Sequence, residues 1–257
     1  MEKLEFRNLW SKIPEKQKKI RVERAYNVLR KEAKLQLDLL KKDKSRRESW
    51  ADFYFFRVVQ SFWTDGDFAI SLGKKKWKFY AVYPARTMME KMLKLLYFVN
   101  QSLGERDKIT KKEFLRTYMR IYLFEKKDGG MTESYEERYK EIDDKNEFPK
   151  INDVSEKDLK AFKDYSILCS KSGLKDADDL YFDYRCLSGL PHGDLIALES
   201  IRFQKLEEYR RSITLIVRFC IEVLKLTDSH LFKTIRKNIK DAIDKTQEII
   251  EKPFNTE

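Results

Sequence analysis

Glycine and proline are scarce in this chain, with 8 and 5 of its 257 residues. Folds built from many short strands need many tight turns, and these two residue types supply most of them. No segment has the alternating pattern of a convincing strand. Because 42% of the residues are hydrophobic and 13% aromatic, the chain can still bury a sizeable core. We therefore predict an all-α fold, a multi-helix bundle of long helices.

Long apolar runs are missing as well. No stretch of about 18 residues is both apolar and uncharged, as a membrane-spanning helix requires. The opening residues, MEKLEFRNLW, carry charges where a signal peptide needs an apolar segment. We therefore expect a cytoplasmic protein that does not use a membrane as its partner.

Cysteine and histidine, the usual zinc ligands, are rare. Cys169, Cys186 and Cys220 are odd in number and lack C-x-x-C spacing, which fits neither a disulfide framework nor a zinc site. Glycine-rich phosphate loops, H-E-x-x-H and G-x-S-x-G motifs are also absent. The sequence predicts no metal and no cofactor.

Positive charge is in excess, with 54 lysines and arginines against 43 acidic residues and a net charge of +11. Such a balance permits binding to nucleic acid. A general bias towards lysine, which outnumbers arginine 36 to 18, explains the charge equally simply. Net charge alone therefore does not decide between a nucleic-acid-binding surface and a general lysine bias.

Apolar residues recur at three- and four-residue steps, the period of an amphipathic helix. We predict one helical domain over residues 1–257. It comprises an N-terminal helix pair (14–73), a core bundle (77–127 and 155–226), a charged insertion (128–154) and a C-terminal helix (229–252). The predicted core residues of the first and third helices are Val22, Tyr26, Leu29, Ala33, Leu37, Leu40, Met88, Met89, Met92, Leu95, Leu96 and Val99.

Four helix limits are predicted. Gly104 is expected to end the third helix, and the capping-box spacing of Thr110 and Glu113 to open the next one. Near the C-terminus, one helix is expected to end at Leu226 and the last to begin at Ser229.

The stretch RCLSGLPH, residues 185–192, concentrates reactive side chains. In a straight helix Arg185 and His192 project within about 20° of each other and roughly 10.5 Å apart, with Ser188 between them on nearly the same face. Such a face suits an external group, for example a phosphate. Pro191 must kink or end the helix, so the alternative is a helix terminus in which His192 caps carbonyls or packs against a neighbour.

This stretch resembles the Arg-x(4–6)-His signature of HEPN domains, which are helical-bundle nucleases of prokaryotic toxin, abortive-infection and CRISPR-associated systems. The resemblance implies a metal-independent RNA endonuclease, a homodimer, and a role in phage defence or beside an antitoxin. Arg185 and His192 would be catalytic. Arg185 would stabilise the negative charge that develops on the phosphorane, and His192 would act as general acid or base.

A broader resemblance covers residues 77–225. ARTMMEKMLKLLYF (85–98), followed by YRCLSGLPH, is similar to a family of all-helical prokaryotic proteins with Arg-x-x-x-Glu and Tyr-x-x-x-Ser-x-x-x-His motifs. The resemblance implies that Arg86, Glu90, Tyr184 and Ser188 form a polar cluster that supports the site. The alternative is a non-catalytic helical module that binds protein or nucleic acid, in which the same residues form a buried network that fixes helix packing.

Overall fold

The computed structural model describes residues 15–42, 49–73, 78–129, 132–174, 176–189 and 207–251. Within these ranges the chain forms nine α-helices and one 3-10 helix, and no strand. The predicted all-α fold with several long helices is therefore confirmed.

The helices vary in length from 28 residues to 6 residues. In chain order they are α1 (Glu15–Lys42), α2 (Trp50–Gly73), α3 (Val82–Val99), α4 (Leu103–Asp128), α5 (Glu133–Ile142), α6 (Tyr165–Ser170), α7 (Ala177–Gly189), α8 (Glu207–Phe232) and α9 (Lys237–Glu251). The 3-10 helix Lys78–Ala81 leads directly into α3. Among these helices, none combines the length and the apolar character that crossing a bilayer demands.

The main core lies among α1, α2, α3, α8 and α9, with contributions from α6 and α7. The apolar stripe predicted for α1 is confirmed, since none of its six residues is more than 9% exposed. The core also holds one polar link between distant parts of the chain. The Gln36 amide nitrogen, on a side chain only 1% exposed, donates to the carbonyl of Leu224 at 3.1 Å.

Helix α2 is the centre of this core and packs against α1, α3 and α4. Its stretch FYFFRVVQSFW is apolar on nearly every side, which predicts deep burial. Phe55, Val59, Phe62 and Trp63 are fully buried. Each large side chain removed from water stabilises the fold by roughly 1.5–3 kcal/mol, so α2 positions the surrounding helices.

The predicted helix end at Gly104 is wrong, because α4 already begins before it. Ser102 has extended backbone, and its hydroxyl accepts a hydrogen bond from the Glu105 amide at 3.3 Å. Thr110 lies inside α4 and donates to the carbonyl of Arg106 at 2.9 Å. A cap needs extended backbone at its first residue, and Ser102 has it, so the similar spacing at Thr110 falls in mid-helix.

The predicted break between Leu226 and Ser229 is also wrong, because α8 continues to residue 232. Asp228 is fully buried within α8. Its carboxylate accepts from the backbone amide of Arg236 at 2.6 Å and from the Arg236 Nε at 2.8 Å. Asp228 thus binds the residue just before α9, and the chain turns at Lys233, where φ is 62°.

The segment 128–154, predicted as a charged insertion, contains one short helix, α5, and packs against α4. This segment, α4 and Leu159 together form a second, smaller core. The Tyr139 hydroxyl donates to the carbonyl of Pro149 at 2.8 Å and closes the loop after α5. The buried members of this core are Leu115, Met119, Tyr122, Tyr139, Ile142, Ile151 and Leu159.

Candidate functional site

Arg86 and Glu90 lie one turn apart on α3, where their spacing lets the side chains meet. The Nε of Arg86 donates to Oε1 of Glu90 at 2.9 Å. The two side chains are 18% and 22% exposed, whereas Ala85, Met88 and Met89 beside them are fully buried. The pair therefore lies at the edge of the main core, partly shielded from water.

Two tyrosines from other helices complete this site. The Cζ of Arg86 lies 5.8 Å from the centre of the Tyr184 ring on α7, within the range of a cation–π contact. Tyr165 of α6 packs on the same ring, with 4.5 Å between ring centres. We call Arg86, Glu90, Tyr165 and Tyr184 the Arg86 cluster. It joins α3 to α6 and α7, which come much later in the chain.

Burial and charge fix the protonation states in this cluster. Burial chiefly, and next the Glu90 carboxylate, raise the pKa of the Tyr165 hydroxyl well above its usual range. Burial opposes charge on Arg86, but Glu90 outweighs it and raises the pKa of the guanidinium. At neutral pH the cluster therefore holds a charged arginine and a protonated tyrosine.

Helix α7 presents different residues inward and outward. Leu187 and Ser188 are buried, and the Ser188 hydroxyl donates to the carbonyl of Tyr184 at 2.8 Å. Arg185 is exposed. The sequence placed Arg185 and Ser188 on nearly the same face, but they differ by about 60° around the axis and lie in different surroundings.

The structure thus brings Arg86, Glu90 and Tyr184 together, with Ser188 bonded to the backbone of Tyr184 and Arg185 outside the cluster. His192 lies outside the described residues. Its geometry relative to Arg185 therefore stays a prediction.

Sequence reasoning missed Tyr165 of this cluster and Tyr181, which lies beside it. Tyr165 lies on a short helix without a motif of its own, and nothing local connects it to α3. Tyr181 stacks on Tyr184 with 6.3 Å between ring centres and 19° between ring planes. Its position three residues before Tyr184 on α7 was the available signal, because such residues share a helix face.

A second cluster of the same residue types lies between α1 and α2. Arg30 binds Asp67 through two nitrogens, Nε at 3.0 Å and Nη2 at 2.8 Å. The hydroxyl of Tyr26, which is 2% exposed, donates to Asp67 at 2.7 Å. The Cζ of Arg30 lies 5.8 Å from the ring centre of Trp63. We call Tyr26, Arg30, Trp63 and Asp67 the Arg30 cluster.

The Asp67 carboxylate of the Arg30 cluster stays ionised. Burial raises its pKa, but hydrogen bonds from Arg30 and Tyr26 outweigh burial and lower the pKa of Asp67.

Space around the Arg30 cluster is tight. A Cβ on Gly66 would lie 2.7 Å from the Tyr26 hydroxyl. Glycine at this position therefore lets α1 approach α2 closely enough for the hydrogen bonds to form.

The described ranges contain no group of three or more histidine, cysteine or acidic side chains arranged to hold a metal ion. Cys169 and Cys220 are both buried and separate. The chemistry available at the Arg86 cluster is therefore that of a fixed cation, a carboxylate and aromatic hydroxyls.

The fold and the Arg86 cluster together define an all-α helical protein with a half-buried arginine–carboxylate–tyrosine site. No protein-family model matches the chain, and no curated protein or solved structure is significantly similar to it.

Proposed function

We propose that the chain is an HEPN-like, metal-independent RNA endonuclease, with Arg185 and His192 as its catalytic residues. The observation that carries the proposal is the exposure of Arg185 on α7, a helix whose other face is held by the Arg86 cluster. An exposed guanidinium on an anchored helix is open to a phosphate.

The reaction uses the RNA's own nucleophile. The 2′-oxygen attacks the adjacent phosphorus while His192 accepts the hydroxyl proton, and the bond from phosphorus to the 5′-oxygen breaks. The 5′-oxygen leaves with a proton from solvent, giving a 2′,3′-cyclic phosphate and a 5′-hydroxyl. Arg185 stabilises the negative charge that builds up on the phosphoryl oxygens.

In this proposal the Arg86 cluster positions α7 and does not touch the RNA. Arg86 and Glu90 anchor the ring of Tyr184, the residue directly before Arg185. The functional partners follow from the HEPN resemblance: RNA as substrate, a second copy of the chain as a homodimer, and an antitoxin or other protein in toxin–antitoxin or antiviral defence.

One observation favours the alternative, a non-catalytic helical module that binds protein or nucleic acid. Arg86 and Glu90 of the Arg86 cluster pair with each other, and Arg86 also contacts the Tyr184 ring. A polar network satisfied in this way can serve solely to fix helix packing.

The test is cleavage of a fluorophore–quencher RNA in the presence of a chelator, by wild-type protein, Arg185→Ala and His192→Ala. We expect each substitution to slow cleavage by at least about 100-fold. Arg185→Ala should leave the melting temperature nearly unchanged, because Arg185 is exposed.

Arg138→Ala is the matched control, since Arg138 is also an exposed helical arginine and its removal changes the net charge equally. It should cleave as the wild type does. Wild-type protein without activity, or Arg185→Ala with full activity, would overturn the proposal. A His192→Ala variant that only melts earlier, without a change in RNA processing, would favour the structural module.

A further inference from the structure

A groove with a volume of about 290 Å³ lies between the end of α1 and the first turns of α2, away from the Arg86 cluster. This volume is at the lower end of the range for small-ligand sites. Its lining combines apolar, cationic, anionic and amide groups, supplied by Leu40, Lys41, Asp52, Phe53, Phe56, Arg57 and Gln60. No motif in the sequence marks it.

The Asp52 carboxylate is held in place by His230, which does not line the groove. Its Oδ1 lies 3.0 Å from Nε2 of His230 on α8. The His230 side chain is 10% exposed and stacks on the fully buried Phe55, with 4.2 Å between ring centres. Among the described residues, Oδ2 of Asp52 has no hydrogen-bond partner, while the side chain is 29% exposed. The groove therefore holds a hydrogen-bond acceptor whose orientation is set before any ligand arrives.

Arg57 supplies the opposite charge on the same helix. Its Cζ lies 5.1 Å from the ring centre of Phe53, and its Nη1 donates to Oε1 of Gln60 at 3.3 Å. These two contacts hold an exposed guanidinium beside the groove. The remaining guanidinium N–H groups and the Gln60 amide nitrogen can donate to an anion.

We propose that this groove binds one nucleotide unit. A planar base fits against the apolar wall of Leu40 and Phe56, and an N–H or O–H group of the nucleotide donates to Asp52. The phosphate binds Arg57, whose planar fork suits phosphate oxygens. The unit is either a free 5′-nucleotide or an unpaired nucleotide of an RNA strand, and this inference does not rest on the proposed nuclease function.

The experiment measures binding of two probes to the full chain by ligand-observed NMR and by titration calorimetry. The first probe is AMP, and the second is a short 2′-O-methylated oligouridine, which lacks the hydroxyl nucleophile and so cannot be cleaved. We expect wild-type protein to bind at least one of them with a Kd below about 1 mM. Asp52→Asn and Arg57→Ala should each weaken that binding by about tenfold or more.

Arg138→Ala is again the matched control, because both arginines are exposed and each donates to a side chain three residues further on. Loss of AMP binding only in the Asp52 and Arg57 variants identifies a free-nucleotide site. Loss of oligouridine binding only in those variants identifies RNA as the source. If neither probe binds, or if Arg57→Ala binds as Arg138→Ala does, the inference is overturned.

The outcome is separable from that of the nuclease proposal. Arg185→Ala should bind AMP as the wild type does, since Arg185 lies on α7 and the groove on α1 and α2. If the protein binds nucleotide at the groove but cleaves no RNA, this inference stands and the nuclease proposal is wrong.

Discussion

The Arg30 cluster and the Arg86 cluster consist of the same kinds of side chain but connect their helices differently. In the Arg30 cluster the carboxylate of Asp67 lies across the interface, so each hydrogen bond ties α1 to α2. In the Arg86 cluster the carboxylate is on the arginine's own helix. That ion pair can form within α3 alone, and α6 and α7 take part in the cluster through tyrosine rings.

This difference shows that residue types alone do not identify a catalytic site. The Arg30 cluster matches no motif, yet its arginine–carboxylate contact has three hydrogen bonds where the Arg86 cluster has one. The Arg86 cluster stands out only through its neighbour Arg185 on the exposed side of α7. We therefore expect ring removal to be most damaging in the Arg86 cluster, and charge removal in the Arg30 cluster.

The largest effect is expected for Tyr184→Ala. The substitution removes a ring that contacts Tyr165, Tyr181 and Arg86, so we expect the free energy of unfolding to fall by about 2–3 kcal/mol. Urea unfolding followed by circular dichroism measures it. Tyr184→Phe keeps the ring and should lose less than about 1 kcal/mol. Equal losses for the two variants would mean that the hydroxyl, and not the ring, joins the helices.

Asp67→Ala should have the next largest effect. It leaves the buried Tyr26 hydroxyl and the Arg30 guanidinium without their shared acceptor, at a cost of about 1–3 kcal/mol in the same unfolding experiment. Asp164→Ala is the control, because Asp164 is 72% exposed and, within the described ranges, its ion pair is with Lys160 on the surface. A loss no greater than that of the control would contradict an interface role for Asp67.

Glu90→Gln should have the smallest effect of the three. The amide oxygen can still accept from Arg86, so only the charge attraction within α3 is lost. We expect about 0.5–1 kcal/mol, compared with less than about 0.5 kcal/mol for Glu141→Gln, whose pair with Arg138 is exposed. If Glu90→Gln lowered the free energy of unfolding by more than Asp67→Ala, charge would matter more in the Arg86 cluster than in the Arg30 cluster, against our expectation.

Much of the fold follows from local rules. The spacing of Val22, Tyr26 and Leu29 predicts which face of α1 is buried, because that spacing alone defines a helix face. Helix ends were harder to predict. Thr110 has a plausible capping sequence and Ser229 was the predicted start of the last helix, but Ser102 and Asp228 determined the actual helix limits through contacts that local sequence could not rank.

The candidate site divides in the same way. The Arg86–Glu90 pair follows from a spacing of four residues on one helix. Tyr165 could not be predicted, because it reaches the pair from another helix and has no motif. The groove at Asp52 was missed for the same reason, since His230, which fixes the carboxylate, is 178 positions away in the chain.

The sequence by itself determined that this protein is helical, where most helices run and which stripe of each is apolar. These properties depend on residues three or four positions apart, which the backbone brings together in any helix. Only the tertiary structure decided that Tyr165 and Tyr184 meet Arg86, that Asp67 pairs with Arg30, and that Arg185 faces outward. Those contacts depend on how whole helices pack, and that packing is set by the shape of the entire core.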